Sequence, residues 1–346
     1  MKYKISLIMP VYNAEKNLEN SINSILQQTL GFNNIEFIII DDFSTDNSRK
    51  IIEKYAKNYK NIIPKYLDKN TGFPGNVRNI GLNMAHANYV MFLDSDDTYN
   101  ADAFEILYQT INKNEYINIV DSKHNIMVNN TIKEFKTDKI KSEKNMICVD
   151  PLTEPFINNI YVWGKIYRKS FLKKFNIIFP ENQLGEDNVF NIKSFLNSGN
   201  IIFLNKYYSY NYNIRDEGKD LSLTNSIKKE NIINSIKTYF LIVEILKEYN
   251  RNDLIPIIFN KRIPDLLSYF VRLKKTDKKM TLIEFYKFYQ FVDFKVYSNE
   301  LWARMIEKPL KKEKFDKAIF ISEIIKNLYK LNFLKNIYRK IYLNIK

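Results

Sequence analysis

Two clusters of aspartate stand at the ends of apolar runs: Asp41-Asp42 after residues 37–40, and Asp94-Ser95-Asp96-Asp97 after residues 89–93. Like charges gathered in one cleft are destabilising unless a cation or a hydrogen-bonding ligand compensates them. Carboxylate oxygens suit Mg²⁺ or Mn²⁺, and such ions share their coordination shell with substrate phosphates. For either cluster alone, turn chemistry and helix capping are an equally good account. Two clusters at strand ends of one sheet point to a ligand site instead. Other chemistry is scarce. One cysteine, Cys148, excludes an intrachain disulfide and any multi-cysteine metal site, and His86 and His124 leave little for a histidine-based triad. His86 reads as structural, beside Met84 and Ala85 on a helix; His124 and Cys148 carry no role.

The elements that must position these carboxylates alternate in period. Residues 4–9 read as a buried strand ended by Pro10, and Leu18, Ile22, Ile25 and Leu26 recur at helical spacing. Residues 37–40 form a continuous apolar run, as in a parallel strand covered on both faces. Ser44-Thr45-Asp46 supplies cap chemistry for a helix over 47–58, and a short strand follows at 62–66. A Gly/Pro turn leads to a helix carrying Val77, Ile80, Met84 and Ala85, then to a strand at 89–93. This order predicts an α/β fold of Rossmann type, a mostly parallel sheet flanked by helices, whose ligands bind outside the carboxyl ends of the strands. Beyond residue 215 buried-strand runs give way to helical stretches at 225–249, 252–274, 281–294 and 315–345. Two domains are expected, 1–215 and a helical 216–346.

Six motifs in order carry a resemblance: Ser6-Leu-Ile-Met-Pro-Val-Tyr-Asn13, Phe37-Ile-Ile-Ile-Asp-Asp42, Asn70-Thr-Gly-Phe-Pro-Gly-Asn-Val-Arg-Asn79, Phe92-Leu-Asp-Ser-Asp-Asp97, Trp163-Gly-Lys-Ile-Tyr-Arg-Lys-Ser-Phe171 and Gly185-Glu-Asp-Asn-Val-Phe190. Over about residues 4–215 the chain resembles a family 2 inverting glycosyltransferase of the GT-A fold, of the bacterial surface-polysaccharide type. The last 130 or so residues carry no such motif. The resemblance implies that Pro10, Val11 and Tyr12 line the base pocket, with Glu15 nearby and Asp42 accepting a hydrogen bond from the base. It implies that Gly72 allows close backbone approach to the nucleotide and that Arg78 meets ribose or diphosphate. Asp94 and Ser95 would lie at the ribose and metal region, and Asp96 would be the metal ligand. Asp187 would be the catalytic base and Trp163 would line the acceptor site. As plain structure, Asp187 is an acid in a first helical turn and Trp163 is core. Where the family commonly has Asn, this chain has Gly164. Arg215, in a polar loop, reads as a diphosphate clamp or as a solvated residue.

The implied chemistry is coherent. A nucleoside diphosphate leaving group gathers negative charge that a cation on Asp96 neutralises. An acceptor hydroxyl needs a base, a contribution of about 10²–10⁴ in rate. One base without a protein nucleophile means a single displacement and inversion. The expected reaction moves a hexose or N-acetylhexosamine from a UDP-sugar to a glycan or lipid-linked glycan of capsule, lipooligosaccharide or wall polymer. Extension of a sugar on a glycoprotein is the alternative, and a basic nucleic-acid- or membrane-binding module without catalysis is the alternative of another class.

The Gly-x-Gly-x-x-Gly of dinucleotide-binding enzymes and the P-loop are both missing. Acidic strand ends would repel phosphate, so nucleic acid is not an expected partner. The formal net charge is +14, and residues 308–346 carry +8 of it. There Leu331, Leu334, Tyr338, Ile341, Tyr342 and Ile345 share one helical face bordered by lysines and arginines. A basic amphipathic helix is expected to meet an anionic membrane surface, with packing on its own domain or a partner subunit as the alternative. The first residues do not read as a secretion signal, and the expected place is the cytoplasm, on the inner face of the plasma membrane. A homodimer is allowed but not required.

Overall fold

The computed structural model describes residues 2–128, 131–133, 140, 142–214, 228–293, 296 and 298–330. The chain divides into two compact units, Met1–Asp220 and Leu221–Lys346. The first opens with β1 (Ile5–Val11), α1 (Leu18–Leu26), β2 (Ile35–Asp41), α2 (Ser48–Asn58), β3 (Ile62–Tyr66), α3 (Pro74–Met84) and β4 (Tyr89–Phe92). It continues with β5 (Thr98–Tyr99), α4 (Ala103–Asn112), β6 (Ile119–Val128), β7 (Thr131–Lys133), β8 (Met146–Val149) and β9 (Lys165–Arg168). It closes with α5 (Lys169–Lys174), α6 (Glu186–Ser198) and β10 (Ile201–Ile214).

These strands form one ten-stranded sheet in the order β3-β2-β1-β4-β9-β6-β10-β5, with β7 beside β6 and β8 beside β10. The four strands β3, β2, β1 and β4 are parallel, as expected from their apolar runs. Successive residues explain those runs: Leu7 and Met9 enter one core and Ile8 the other, while Phe37 and Ile39 oppose Ile38 and Ile40. Each fully buried side chain of this size stabilises by about 1.5–3 kcal/mol, so both faces must stay covered. The far half of the sheet differs from the simple parallel picture: β9 runs antiparallel to both β4 and β6, and β5 and β8 run antiparallel to β10. β10 pairs in parallel with β6, with register shifts between Leu204 and Tyr210. Such irregularities re-aim side chains, here just before the tyrosines that reach the site.

The second unit holds α7 (Lys229–Glu248), α8 (Leu254–Arg272), α9 (Lys275–Phe291), α10 (Leu301–Leu310) and α11 (Phe315–Lys330). α9 starts six residues before the expected 281 because Lys278, in its polar first turns, points inward. Lys278, fully buried, donates to the Val271 carbonyl at 2.9 Å and to Ser322 Oγ at 2.9 Å, and pairs with Glu323 at 2.6 Å. α10 was not expected from the sequence. Among the described residues no helix is long and apolar enough to cross a membrane. Most of the basic amphipathic segment, and Arg215 with its loop, lie outside the described residues.

Candidate active site

Arg78, on α3, is where the acidic elements meet. Its Nη1 donates to Glu186 Oε1 at 2.8 Å and to Asp187 Oδ1 at 2.9 Å, and its Nη2 donates to Asp94 Oδ1 at 2.7 Å. The side chain is 3% exposed and the guanidinium lies 5.4 Å from the Phe179 ring. Arg78 was expected to meet ribose or diphosphate; it instead lies beneath the site and orders three carboxylates. Local geometry brings them together. Gly185, at φ 83°, turns the chain into α6, so both acids fall in its first turn, where the helix dipole favours negative charge. Gly75 lets α3 approach, since a Cβ there would stand 2.8 Å from Glu186 Cγ.

One guanidinium cannot satisfy three carboxylates. Burial pushes the Asp187 carboxyl well above the usual aspartate range; Glu186 and Asp94 add to this, and Arg78 opposes it. Glu186 is raised for the same first reason, burial, again opposed by Arg78. A carboxylate held at higher proton affinity is a stronger base.

The loop after β4 is held from β10. Tyr210 Oη donates to Asp97 Oδ2 at 2.9 Å and accepts the Asp94 amide at 3.2 Å. The Asn213 amide donates to Asp97 Oδ1 at 2.7 Å, and Asn213 Nδ2 donates to the Asp96 carbonyl at 2.6 Å. Asp97 is therefore committed to the fold, and burial beside Asp96 and Asp94 raises its proton affinity further. Asp96 remains half-exposed at the tip. Ser95 is buried, and its carbonyl accepts Ser21 Oγ at 2.9 Å. Tyr210 and Asn213 carry no motif; only the alternation of tyrosines through 207–212 hints at a strand with one functional face.

The expected nucleotide residues gather at the ends of β1 and β2. Tyr12 is 50% exposed, whereas the Val11 side chain is 1% exposed, so Val11 borders the site only through its backbone, whose carbonyl accepts the Asp42 amide at 2.8 Å. Pro10, which precedes them, is half-buried. Asp42 Oδ1 accepts the Thr71 amide at 2.8 Å and Oδ2 accepts Thr71 Oγ1 at 3.0 Å, tying the loop of Gly72 to β2. Gly72 itself sits at φ 81°, a conformation that glycine adopts without strain. Glu15 accepts the Asn47 amide at 3.0 Å and so anchors the start of α2. Asp41, in turn, is neutralised by Arg49 at 3.1 Å. The first acidic cluster thus needs no cation.

Trp163 is 3% exposed and packed between Tyr161, at 4.2 Å, and Tyr210, at 4.3 Å. Both indole faces are covered, which leaves no room for the expected contact with the acceptor. Gly164 follows at φ 70°; asparagine and glycine both tolerate that region, which accounts for the exchange of one for the other. Lys165 is fully buried, donates to the Tyr161 carbonyl at 2.6 Å and lies 3.6 Å from Asp121. Burial lowers its proton affinity against the pull of Asp121 and Asp187. His124 packs edge-on against Trp163 at 4.9 Å, and burial with Lys165 nearby pulls its pKa down to about 4. His86, by contrast, is a surface group held by Glu36 at 2.6 Å.

Among the described residues no three His, Cys, Asp or Glu side chains form a metal shell by themselves. Asp97 is held by Tyr210 and Asn213, whereas Asp96 and Asp94, both half-exposed, bring carboxylate oxygens to the mouth of the site, Asp94 with its Oδ1 on Arg78. That set suits a hard divalent cation that takes its remaining ligands from a diphosphate and water.

A family model described as Glycosyl transferase family 2 matches residues 6–175. The chain is 31% identical over 222 residues to the poly(ribitol-phosphate) beta-N-acetylglucosaminyltransferase TarS of Staphylococcus aureus, covering 63% of this chain and 37% of that protein. It is 33% identical over 209 residues to the S. aureus enzyme TarP, poly(ribitol-phosphate) beta-N-acetylglucosaminyltransferase, covering 60% of this chain and 62% of that one. The chain therefore spans less than two thirds of these relatives. Among solved structures it is similar to S. aureus TarS 1-349, with a TM-score of 0.73, 24% identity and coverage of 94% of this chain and 91% of that one. The match to a longer TarS crystal structure has a TM-score of 0.72 at 25% identity, covering 92% of this chain and 55% of the other. On its motifs, its GT-A fold and these matches, the chain carries a glycosyl transferase family 2 domain over residues 6–175.

Proposed function

We propose that this chain moves a hexose or N-acetylhexosamine from a UDP-sugar to a hydroxyl of a cell-wall polymer, with inversion and with Asp187 as the base. The observation that carries the reading is the Arg78 junction, which joins Asp187 to Asp94 of the acidic loop through one side chain. A base and a diphosphate site must be rigidly related for a single displacement, and a shared guanidinium relates them. Asp187, with its raised proton affinity, takes the acceptor proton as the new glycosidic bond forms. Tyr12 offers its exposed ring to the base of the nucleotide, and Gly72 lets the chain pass close to it. Glu186 holds Arg78 from within, so that Arg78 keeps Asp94 and Asp187 in a fixed relation beneath the site. A divalent cation held by Asp96, with Asp94 beside it, would neutralise charge on that diphosphate when bound. The names of the relatives, which specify β-linked N-acetylglucosamine or glucose on poly(ribitol phosphate), support the sugar class and the wall-polymer acceptor. The positive surplus in residues 308–346 supports work at an anionic membrane surface.

The test is UDP release from UDP-N-acetylglucosamine, UDP-glucose and UDP-galactose, with poly(ribitol phosphate) as acceptor, in Mn²⁺ and in EDTA. Acceptor-dependent release in Mn²⁺, with a β-linked product by NMR, is expected. Absence of UDP binding and of release with every donor in Mn²⁺ would overturn the reading.

A further inference from the structure

Two half-buried tyrosines join the two halves of the catalytic site. Tyr161 stacks on Trp163 at 4.2 Å with an interplanar angle of 17°, and Tyr212 lies 5.7 Å from Trp163 and 6.2 Å from Tyr161. Tyr212 stands on β10 between Tyr210 and Asn213, the residues that grip Asp97 at 2.9 and 2.7 Å. Tyr161 is tied to the opposite side. Its carbonyl accepts Asn191 Nδ2 at 3.0 Å and Lys165 Nζ at 2.6 Å. Asn191 is four residues after Asp187 on α6, so the two share one helical face. Asn191 is itself held by Tyr167 Oη at 3.2 Å. The two rings thus lie along a path from the acidic loop to the face of the helix that carries the base.

We propose that Tyr161 and Tyr212 form the acceptor subsite, receiving the C–H face of the sugar or polyol unit whose hydroxyl is delivered to Asp187. The inference rests on the transferase reading above and gives that site its acceptor-binding residues. Aromatic faces bind apolar C–H surface while leaving hydroxyls to polar partners, which fits the carbon chain of a polyol or the ring face of a sugar between its charged linkages. Trp163, enclosed behind them, sets the tilt of both rings, and His124 braces the edges of Trp163 and Tyr161.

The experiment measures transfer to poly(ribitol phosphate) by Tyr161→Ala, Tyr212→Ala and the matching Phe variants. Each alanine variant is expected to raise the acceptor KM about tenfold with kcat near wild type, the effect of truncating one aromatic anchor used equally in ground and transition states. UDP-sugar affinity is expected to stay unchanged, and the Phe variants to behave as wild type. Should an alanine variant fail to fold, the Leu variant gives the same reading. As a second measurement, Trp163 fluorescence in a Trp302→Phe background is expected to change saturably as poly(ribitol phosphate) is added without donor. A wild-type acceptor KM in both variants, or no Trp163 response, overturns the subsite while transfer by the wild type keeps the transferase reading intact. If wild-type protein neither binds UDP nor transfers sugar, that reading fails first and the subsite with it.

Discussion

Replacing Arg78 by Met removes the one cation that three carboxylates share while leaving an apolar side chain over Phe179. Of its partners, Glu186 is 7% exposed, Asp187 21% and Asp94 30%. Breaking a buried ion pair from one side costs about 3–5 kcal/mol, because the remaining charge stays buried. Glu186 meets that description. Asp187 and Asp94 reach solvent, and each adds less than about 1 kcal/mol. The expected loss at pH 7 is therefore about 4 kcal/mol, limited by protonation. Burial already raises the folded Glu186 carboxyl in wild type; without the opposing Arg78 it rises further above its unfolded value, so the folded variant binds the extra proton. Stability is then present below the unfolded pKa and is lost as pH rises through the folded one. The gap to wild type should narrow by up to about 1.4 kcal/mol for each pH unit from 7 to 5. Urea unfolding at both pH values, followed by Trp163 fluorescence in a Trp302→Phe background, measures it. The double variant Arg78→Met/Glu186→Gln should recover much of the loss. A gap under about 1 kcal/mol, or one that does not move with pH, would refute Arg78 as the electrostatic centre.

Three more outcomes are expected. Asp187→Asn should cut transfer by about 10²–10⁴ while UDP binding is kept; in wild type, activity should fall with acidification along a limb lying above the ordinary aspartate pKa, as a raised base requires. Full activity of the Asn variant would remove Asp187 from the chemistry. Gly81→Ala would drive a Cβ into the Ile8 side chain, where α3 crosses the sheet, and should destabilise by about 1–3 kcal/mol in a thermal melt. His124, with its pKa near 4 when folded and 6.5 as the ordinary value, favours the folded state above 6.5 and loses that contribution as pH falls toward 4. His124→Phe should therefore lose less melting temperature than wild type between pH 7 and 4.5, and an equal loss in both would show that the imidazole does not titrate in this way.

The parallel half of the sheet is legible because burial on both faces favours apolar side chains: residues 37–40 are wholly enclosed and read as one apolar run, and the buried Glu36 just before them is hydrogen-bonded by Ser6. The far half, with strands of mixed direction, is not, because Ile119–Val128 and Ile201–Ile214 carry polar residues among the apolar ones and pair with each other across gaps of about eighty residues. Their strand character depends on partners that local periodicity does not contain. The polar start of α9 escaped notice for a related reason, since Lys278 is buried by bonds to residues from α8 and α11.

Residue types and their order along the chain were enough to establish the fold class, the acidic loop at Asp94–Asp97 and the Glu186-Asp187 pair, because these are local patterns with a local physical meaning. Which of those acids are free to act was decided only in three dimensions. Asp41 is neutralised by Arg49, Asp97 is consumed by Tyr210 and Asn213, and Arg78 turns from a ligand-facing cation into the link between base and acidic loop. Charge compensation depends on distance through space and on burial. Neither can be read from separation along a sequence.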